Sequence, residues 1–456
     1  MLTNSDLFNE TFYRNNNQDV AVAIANGFFR NGLEHFLQFG QFEKRNPSAF
    51  FDTAYYLQQN LDVANAVNLN TTTAFTHFLY AGQYEGRNSF SLFNTSYYLS
   101  NNLDVNAAVG RDELTGIEHY VKYGSKEGRN PSRFFDNSFY IQRNLDVAQA
   151  VQKDIITGVE HYVQYGQFEG RIPRQLFSQM FAFGDSLVDD GNIFALTQGA
   201  VPPSPPYFNG RFSNGPVWVE YLAPTLGLSS NSVNNFALGG STTGTVNSGN
   251  IPGVPPLPGL QQQIDGFTAA NSTADPNALY VVYAGANDYL GLGITDVTSV
   301  VNNLTTAITK LAAVGARNFM VPNLPNLGAL PGPASQGPLV QQGLGLISNA
   351  HSINLAVSLA ALEQNPNINI IPVDVFNLFN SAIANPAAFG FTNVTNNIVP
   401  GAGVNPTVAG FTIPPGINPN QYLFWDLVHP TTSAHFFVST TALKATTAIG
   451  EVVEIL

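Results

Sequence analysis

Cysteine is absent from this chain, and charge is scarce. The missing thiols exclude disulfides, Cys-ligated zinc and every thiol nucleophile. Charged residues make up 11% of the sequence, against about 25% in an ordinary globular chain, so Asn, Thr, Gln and Ser must cover the surface. With 18 basic residues and a formal net charge of −13, the chain repels phosphate backbones, which argues against nucleic acid as a partner. The same sign disfavours adsorption to anionic lipid. No uninterrupted apolar run reaches the ~18 residues of a membrane span. The opening stretch, MLTNSDLFNETFY, has no basic region followed by an apolar one, so no standard cleavable signal is expected. A charge-poor surface rich in Asn and Thr fits an extracellular or cell-surface protein exported without such a signal, the alternative being the cytoplasm.

What is present begins with a repeat. His35, His77, His119 and His161 recur every 42 residues, as do Gly40, Gly82, Gly124 and Gly166, and Arg45, Arg87, Arg129 and Arg171. Asp19, Asp62, Asp104 and Asp146 recur upstream in the phrase N-x-D-V. Each unit reads as a helical hairpin: a first helix such as FDNSFYIQRNLDVAQAV, then a second such as TGVEHYVQYGQFEGR that stops at Gly. A lone hairpin of this size cannot bury its apolar face, so each is expected to stack mainly on its neighbours. One His per unit at a fixed place on an aromatic-rich helix reads as a packing or hydrogen-bonding residue, the alternative being a metal array. The recurrent Asp reads as a cap or turn residue, since no acidic loop of calcium-binding spacing surrounds it. Four such repeats fill residues 1–173.

From residue 174 the grammar changes. Short β-rich runs at 180–185, 233–238, 278–286, 316–325 and 368–375 alternate with helical segments such as 297–314, 346–364 and one after Thr431. Five buried strands interleaved with helices predict an α/β domain over 174–456: a five-stranded parallel sheet covered on both faces, three layers deep. The Pro- and Gly-rich stretches 200–210, 251–259, 328–345 and 399–419 read as loops, the longer ones of the kind that line binding sites.

Parallel sheets place working groups at the carboxyl ends of their strands. Those ends carry Gly184-Asp185-Ser186-Leu187, Gly239-Gly240-Ser241 and Gly285-Ala286-Asn287-Asp288, and a late loop adds Asp426-Leu427-Val428-His429. A hydroxyl, a small-residue turn, a carboxamide and a carboxylate–imidazole pair are what acyl transfer requires. No G-x-S-x-G pentapeptide occurs, so the nucleophile elbow of α/β-hydrolases is missing.

In order, FAFGDSLVDDGN, NNFALGGSTT, YAGANDYL and YLFWDLVHPTTSAH resemble the four blocks of the GDSL hydrolases, also called the SGNH superfamily. GRFSNGPVWVEYLA and VPNLPNLGALP look like its lipase-type branch. The resemblance covers roughly 179–450 and implies a flavodoxin-like α/β/α fold and a serine esterase or lipase. It assigns Ser186 as nucleophile, His429 as general base and Asp426 as the acid that fixes the imidazole. It forms the oxyanion hole from the N–H groups of Ser186 and Gly240 and the side chain of Asn287, with Gly239 the alternative donor to Gly240. Asp185, Asp189 and Asp190 then serve the turn, Asn192 braces it, and no cofactor or metal is implied. Ser241 stands where many relatives have Ala.

The implied substrate is an acyl ester or lipid, because apolar Pro/Gly loops suit an acyl chain. Within the family the alternatives are a phospholipase or acyltransferase and a carbohydrate deacetylase. From another class, the alternative is an adhesion protein whose hydrolase domain is inactive. The repeats look similar to those of bacterial, especially cyanobacterial, surface and exported proteins, with a cell-envelope, polysaccharide or protein partner expected for them.

Overall fold

In the computed structural model, which describes residues 1–249, 256–400 and 409–453, the chain divides into two compact units, Met1–Gln175 and Leu176–Leu456. The expected loops 251–259 and 399–419 lie partly outside the described residues.

In the first unit each repeat folds as three short helices, which corrects the hairpin reading. In the second repeat these are Thr53–Gln59, Leu61–Asn68 and Ala74–His77, the last running on into a π-helical turn, Phe78–Gly82. The expected first helix breaks at Asn60, whose backbone (φ −132°, ψ 78°) leaves the helical region. The Asn60 amide donates to the Tyr56 carbonyl at 2.7 Å, satisfying an acceptor that the break would otherwise orphan. Its Oδ1 accepts from Arg87, whose guanidinium also grips both oxygens of Asp62 at 2.9 and 2.8 Å. The recurrent Asn, Asp and Arg therefore form one clasp per repeat, remade at Asp19–Arg45, Asp104–Arg129 and Asp146–Arg171.

The remaining recurrent residues form a second set. A buried tyrosine hydroxyl meets the Nδ1 of each repeat histidine at 2.9–3.0 Å: Tyr13–His35, Tyr56–His77, Tyr98–His119 and Tyr140–His161. The recurrent glycine gives that hydroxyl its passage, since a Cβ on Gly124 would lie 2.0 Å from the Tyr98 oxygen. The array also curls further than neighbour-on-neighbour stacking requires. Phe50 meets both Phe90 and Tyr120 with ring centroids 6.0 Å apart, and Lys122 comes within 3.5 Å of Asp6, so the third repeat touches the first.

The second unit is a three-layer α/β/α sandwich. Its sheet contains β1 (Met180–Gly184), β2 (Val233–Asn235), β3 (Leu279–Tyr283), β4 (Asn318–Pro322) and β5 (Asn369–Val373), all parallel, in the order β2-β1-β3-β4-β5. Alternate sheet residues Phe183, Tyr280, Val282, Phe319 and Ile370 pack on the helices Leu260–Ala270, Val297–Ala313 and Pro338–Leu362. The helices Trp218–Thr225, Val375–Ala384 and Thr432–Val453 pack together on the other face, where Trp218 meets Tyr283 edge-on.

One expectation fails here. Residues 328–345 are not a loop: Pro331–Ser335 is helical, and the next helix already begins at Pro338, inside the stretch read as a loop. The prolines and glycines there misled the reading, because Pro at the first helical position costs nothing. A small parallel pair, β6 (Asn393–Asn397) and β7 (Tyr422–Phe424), leads into the Asp426–His429 segment. The strand order reverses between β1 and β3, the place where open α/β sheets carry their ligand sites.

Candidate active site

Ser186 stands two residues beyond β1, where the chain crosses β3 closely. Gly184 has φ +152°, and a Cβ there would sit 2.0 Å from the Tyr283 carbonyl oxygen, so only glycine fits. Gln263 clamps the crossing by accepting from the Gly184 N–H and donating to its carbonyl, both at 2.9 Å. Beyond it, Asp185 Oδ1 accepts the Leu187 N–H at 3.0 Å and sets the turn that presents Ser186. Burial pushes the Asp185 carboxyl up to about 7, and among the described residues its Oδ2 has no partner.

After β7 the chain makes a closed turn. The Trp425 N–H donates to the His429 carbonyl at 2.8 Å, and Asp426 Oδ1 accepts the N–H groups of Val428 and His429 at 2.8 and 2.7 Å. The turn fixes acid and imidazole together. Asp426 Oδ2 lies 2.7 Å from His429 Nδ1, and His429 Nε2 lies 2.8 Å from Ser186 Oγ, with all three residues buried. Ser186, His429 and Asp426 thus form one continuous hydrogen-bonded line across 243 residues of sequence.

The other sequence-derived residues stand after the neighbouring strands β2 and β3. Gly240 has φ +81° after β2, and among the described residues the backbone N–H groups of Gly240 and Ser186 have no acceptor. The neighbouring Gly239 N–H is engaged by Asp189 Oδ2 at 2.8 Å, so of the two glycines only Gly240 keeps a free donor. Asn287, at the start of the helix Ala286–Leu290 after β3, is buried and donates through Nδ2 to the Ser241 carbonyl at 3.0 Å. One amide hydrogen thereby holds the side chain and the other remains available. Asp189 also accepts the N–H groups of Gly191, Asn192 and Ile193, and Asn192 bonds the carbonyls of Asn235 and Ala237. Both are braces between the β1 and β2 ends. Ser241 donates to the Pro258 carbonyl and accepts from Gln263, both at 2.9 Å, so its hydroxyl ties the second block to a helix.

Two residues of this site escape sequence reasoning. Tyr207 donates its hydroxyl to Asp426 Oδ2 at 2.7 Å, and burial beside that carboxylate keeps the phenol protonated. Phe212 lies against the His429 ring, centroids 5.0 Å apart and planes inclined by 32°. Tyr207 falls in a Pro- and Gly-rich stretch and Phe212 in the segment GRFSNGPVWVEYLA, whose resemblance says nothing of a contact with His429; both lie more than 200 residues before their partners.

A family model described as GDSL-like Lipase/Acylhydrolase matches residues 180–439. Among known proteins, the chain is similar to a phosphatidylcholine-sterol acyltransferase of Aeromonas hydrophila, with 30% identity over 56% of this chain and 86% of that protein. It is also similar to a GDSL esterase/lipase of Arabidopsis thaliana, with 28% identity over 57% of this chain and 80% of that one. Among solved structures, a carbohydrate acetylesterase from Sinorhizobium meliloti aligns with 13% identity and a TM-score of 0.35, covering 59% of this chain and 99% of that one.

Proposed function

Because the chain belongs to the family of GDSL-like lipases and acylhydrolases, we propose that this ester hydrolase works through an acyl-enzyme formed on Ser186. One observation carries the reading: the unbroken line from Ser186 Oγ through His429 to Asp426, at 2.8 and 2.7 Å. Ser186 Oγ attacks the acyl carbonyl carbon while His429 Nε2 takes the hydroxyl proton, and Asp426 stabilises the imidazolium. The displaced negative charge settles on the former carbonyl oxygen, facing the N–H groups of Ser186 and Gly240 and the free Asn287 hydrogen. His429 returns its proton to the leaving alcohol. A water activated by the same base then releases the acid and restores Ser186.

The preferred substrate is a lipid-like acyl ester. Leu187 and Val428, the chain neighbours of nucleophile and base, are apolar and half-buried, and one relative is named for a phosphatidylcholine reaction. That relative's name also favours a second reading, in which an alcohol replaces water as acceptor. The test is a p-nitrophenyl ester series together with a fluorophosphonate probe. Label located by peptide mapping at Ser186 is the expected result, and label on another serine discards the assignment. Ester products formed with added alcohol separate acyl transfer from hydrolysis.

A further inference from the structure

The helix Pro338–Leu362 has two unlike halves. Its second half covers the sheet: Ser348, His351, Leu355 and Leu359 are buried on one stripe. Ser348 Oγ accepts the Leu327 N–H just after β4, and His351 Nδ1 meets the Tyr289 hydroxyl just after β3, so this point of the helix marks the carboxyl edge of the sheet. Residues 338–347 extend past that edge by about 15 Å, and none of them is buried. They lie on the side that carries Ser186, Gly240 and Asn287, one side of the helix resting on Leu327–Ala329, where a Cβ on Gly328 would meet the Gln341 carbonyl. They also start close to the catalytic turn, since the Gly332 N–H donates to the Leu427 carbonyl at 2.9 Å.

The exposed face of this helix is apolar. Leu339, Leu346, Ile353 and Val357 are 85%, 65%, 58% and 68% exposed, and their spacing places them along one stripe. Exposed apolar surface on this scale marks an interaction site. Charge indicates the occupant. No Asp, Glu, Lys or Arg occurs between Arg317 and Glu363, so nothing on the helix resists transfer out of water or selects a charged protein surface. The net charge of −13 repels anionic lipid, whereas a neutral or zwitterionic lipid surface accepts an uncharged apolar face without that penalty.

We infer that the exposed stripe of the helix Pro338–Leu362 docks on neutral or zwitterionic lipid and brings the carboxyl edge of the sheet to the lipid carrying the ester. The inference rests on the acyl-ester reading of the site. Its test measures binding and turnover separately in the full chain, using phosphatidylcholine vesicles and soluble p-nitrophenyl butyrate. The wild type should float with phosphatidylcholine vesicles and lose that binding as phosphatidylglycerol is added. Leu339→Gln with Leu346→Gln should weaken binding and hydrolysis of vesicle lipid by about tenfold or more, while butyrate turnover and thermal midpoint stay unchanged. Unchanged flotation of the double variant overturns the docking surface. So does a wild-type dimer that the double variant turns into a monomer, which assigns the face to a second copy. Absence of butyrate turnover in the wild type counts against the site assignment alone, because flotation is read without it.

Discussion

The two units use polar residues in opposite ways. Of 18 basic residues, 14 lie in the first 175, where an arginine of each repeat grips an aspartate of the same repeat. Each polar device there exists four times, and its partners lie 21 to 28 residues away. In the second unit the polar groups are single, buried and joined over long distances, such as Ser186 to His429 and Tyr207 to Asp426. Repetition of that kind builds stability in shares. Singular groups concentrate a chemical task, and no second copy stands in for a lost one.

Substitutions in the second unit put this contrast to its hardest test. Ser186→Ala should lower ester turnover by about 10³-fold or more while the thermal midpoint holds, because the three groups act as a unit. Asn287→Ala should cost about 100- to 1,000-fold in kcat with little change in KM, as expected of a donor used mainly in the transition state. A loss below about fivefold would reduce Asn287 to a turn residue. Tyr207→Phe should cost about tenfold in kcat while the thermal midpoint holds. A loss below about twofold would mean that Tyr207 only packs.

Changes in the first unit should leave chemistry alone. Gly124→Ala forces a methyl against the Tyr98 hydroxyl and should destabilise that unit by about 1–3 kcal/mol. Both tryptophans, Trp218 and Trp425, belong to the second unit, so their fluorescence follows its melting, whereas the far-ultraviolet signal follows the helices of both units. The tryptophan transition should hold while part of the far-ultraviolet transition moves to lower temperature, with ester turnover kept within about twofold. A tenfold loss of turnover would break the division of labour.

One singular group in the second unit should prove structural. Burial lowers His351 to about 4 from its ordinary 6.5, so the unfolded chain takes up a proton there before the folded one does. Its contribution to stability is complete above about 6.5 and is lost as pH falls towards 4. In His351→Gln, tryptophan-detected stability should therefore fall less steeply across that window, by up to about 1.4 kcal/mol per pH unit.

Legibility in the sequence followed the range of the interactions. Strands β1, β3, β4 and β5 could be read because each is a short apolar run closed within two residues by Gly, Asn or Asp, and the four motif blocks follow or precede an element in the expected order. The repeat phrase N-x-D-V announced a local cap, yet not the chain break at Asn60, which depends on Arg87 arriving from the far end of the repeat. Which of Gly239 and Gly240 keeps a free N–H is not legible locally, because the Gly239 N–H is taken by Asp189, 50 residues upstream. Tyr207 was invisible for the same reason. The start of the helix at Pro338 escapes the sequence because three prolines and several glycines imitate a loop.

The close crossing at Gly184 bears on how such chains should be recognised. In the Gly-Asp-Ser-Leu signature, the first letter answers to steric exclusion by the Tyr283 carbonyl and the third, on the mechanism proposed above, to reactivity. Those two constraints can be relaxed independently. A descendant that abandons ester chemistry is free to replace its serine at no cost to folding, yet it must keep the glycine for as long as β1 and β3 meet in this register. A search keyed to the glycine will therefore gather inactive cousins along with enzymes, and only the serine, read together with the distant Asp426–His429 turn, sorts one from the other.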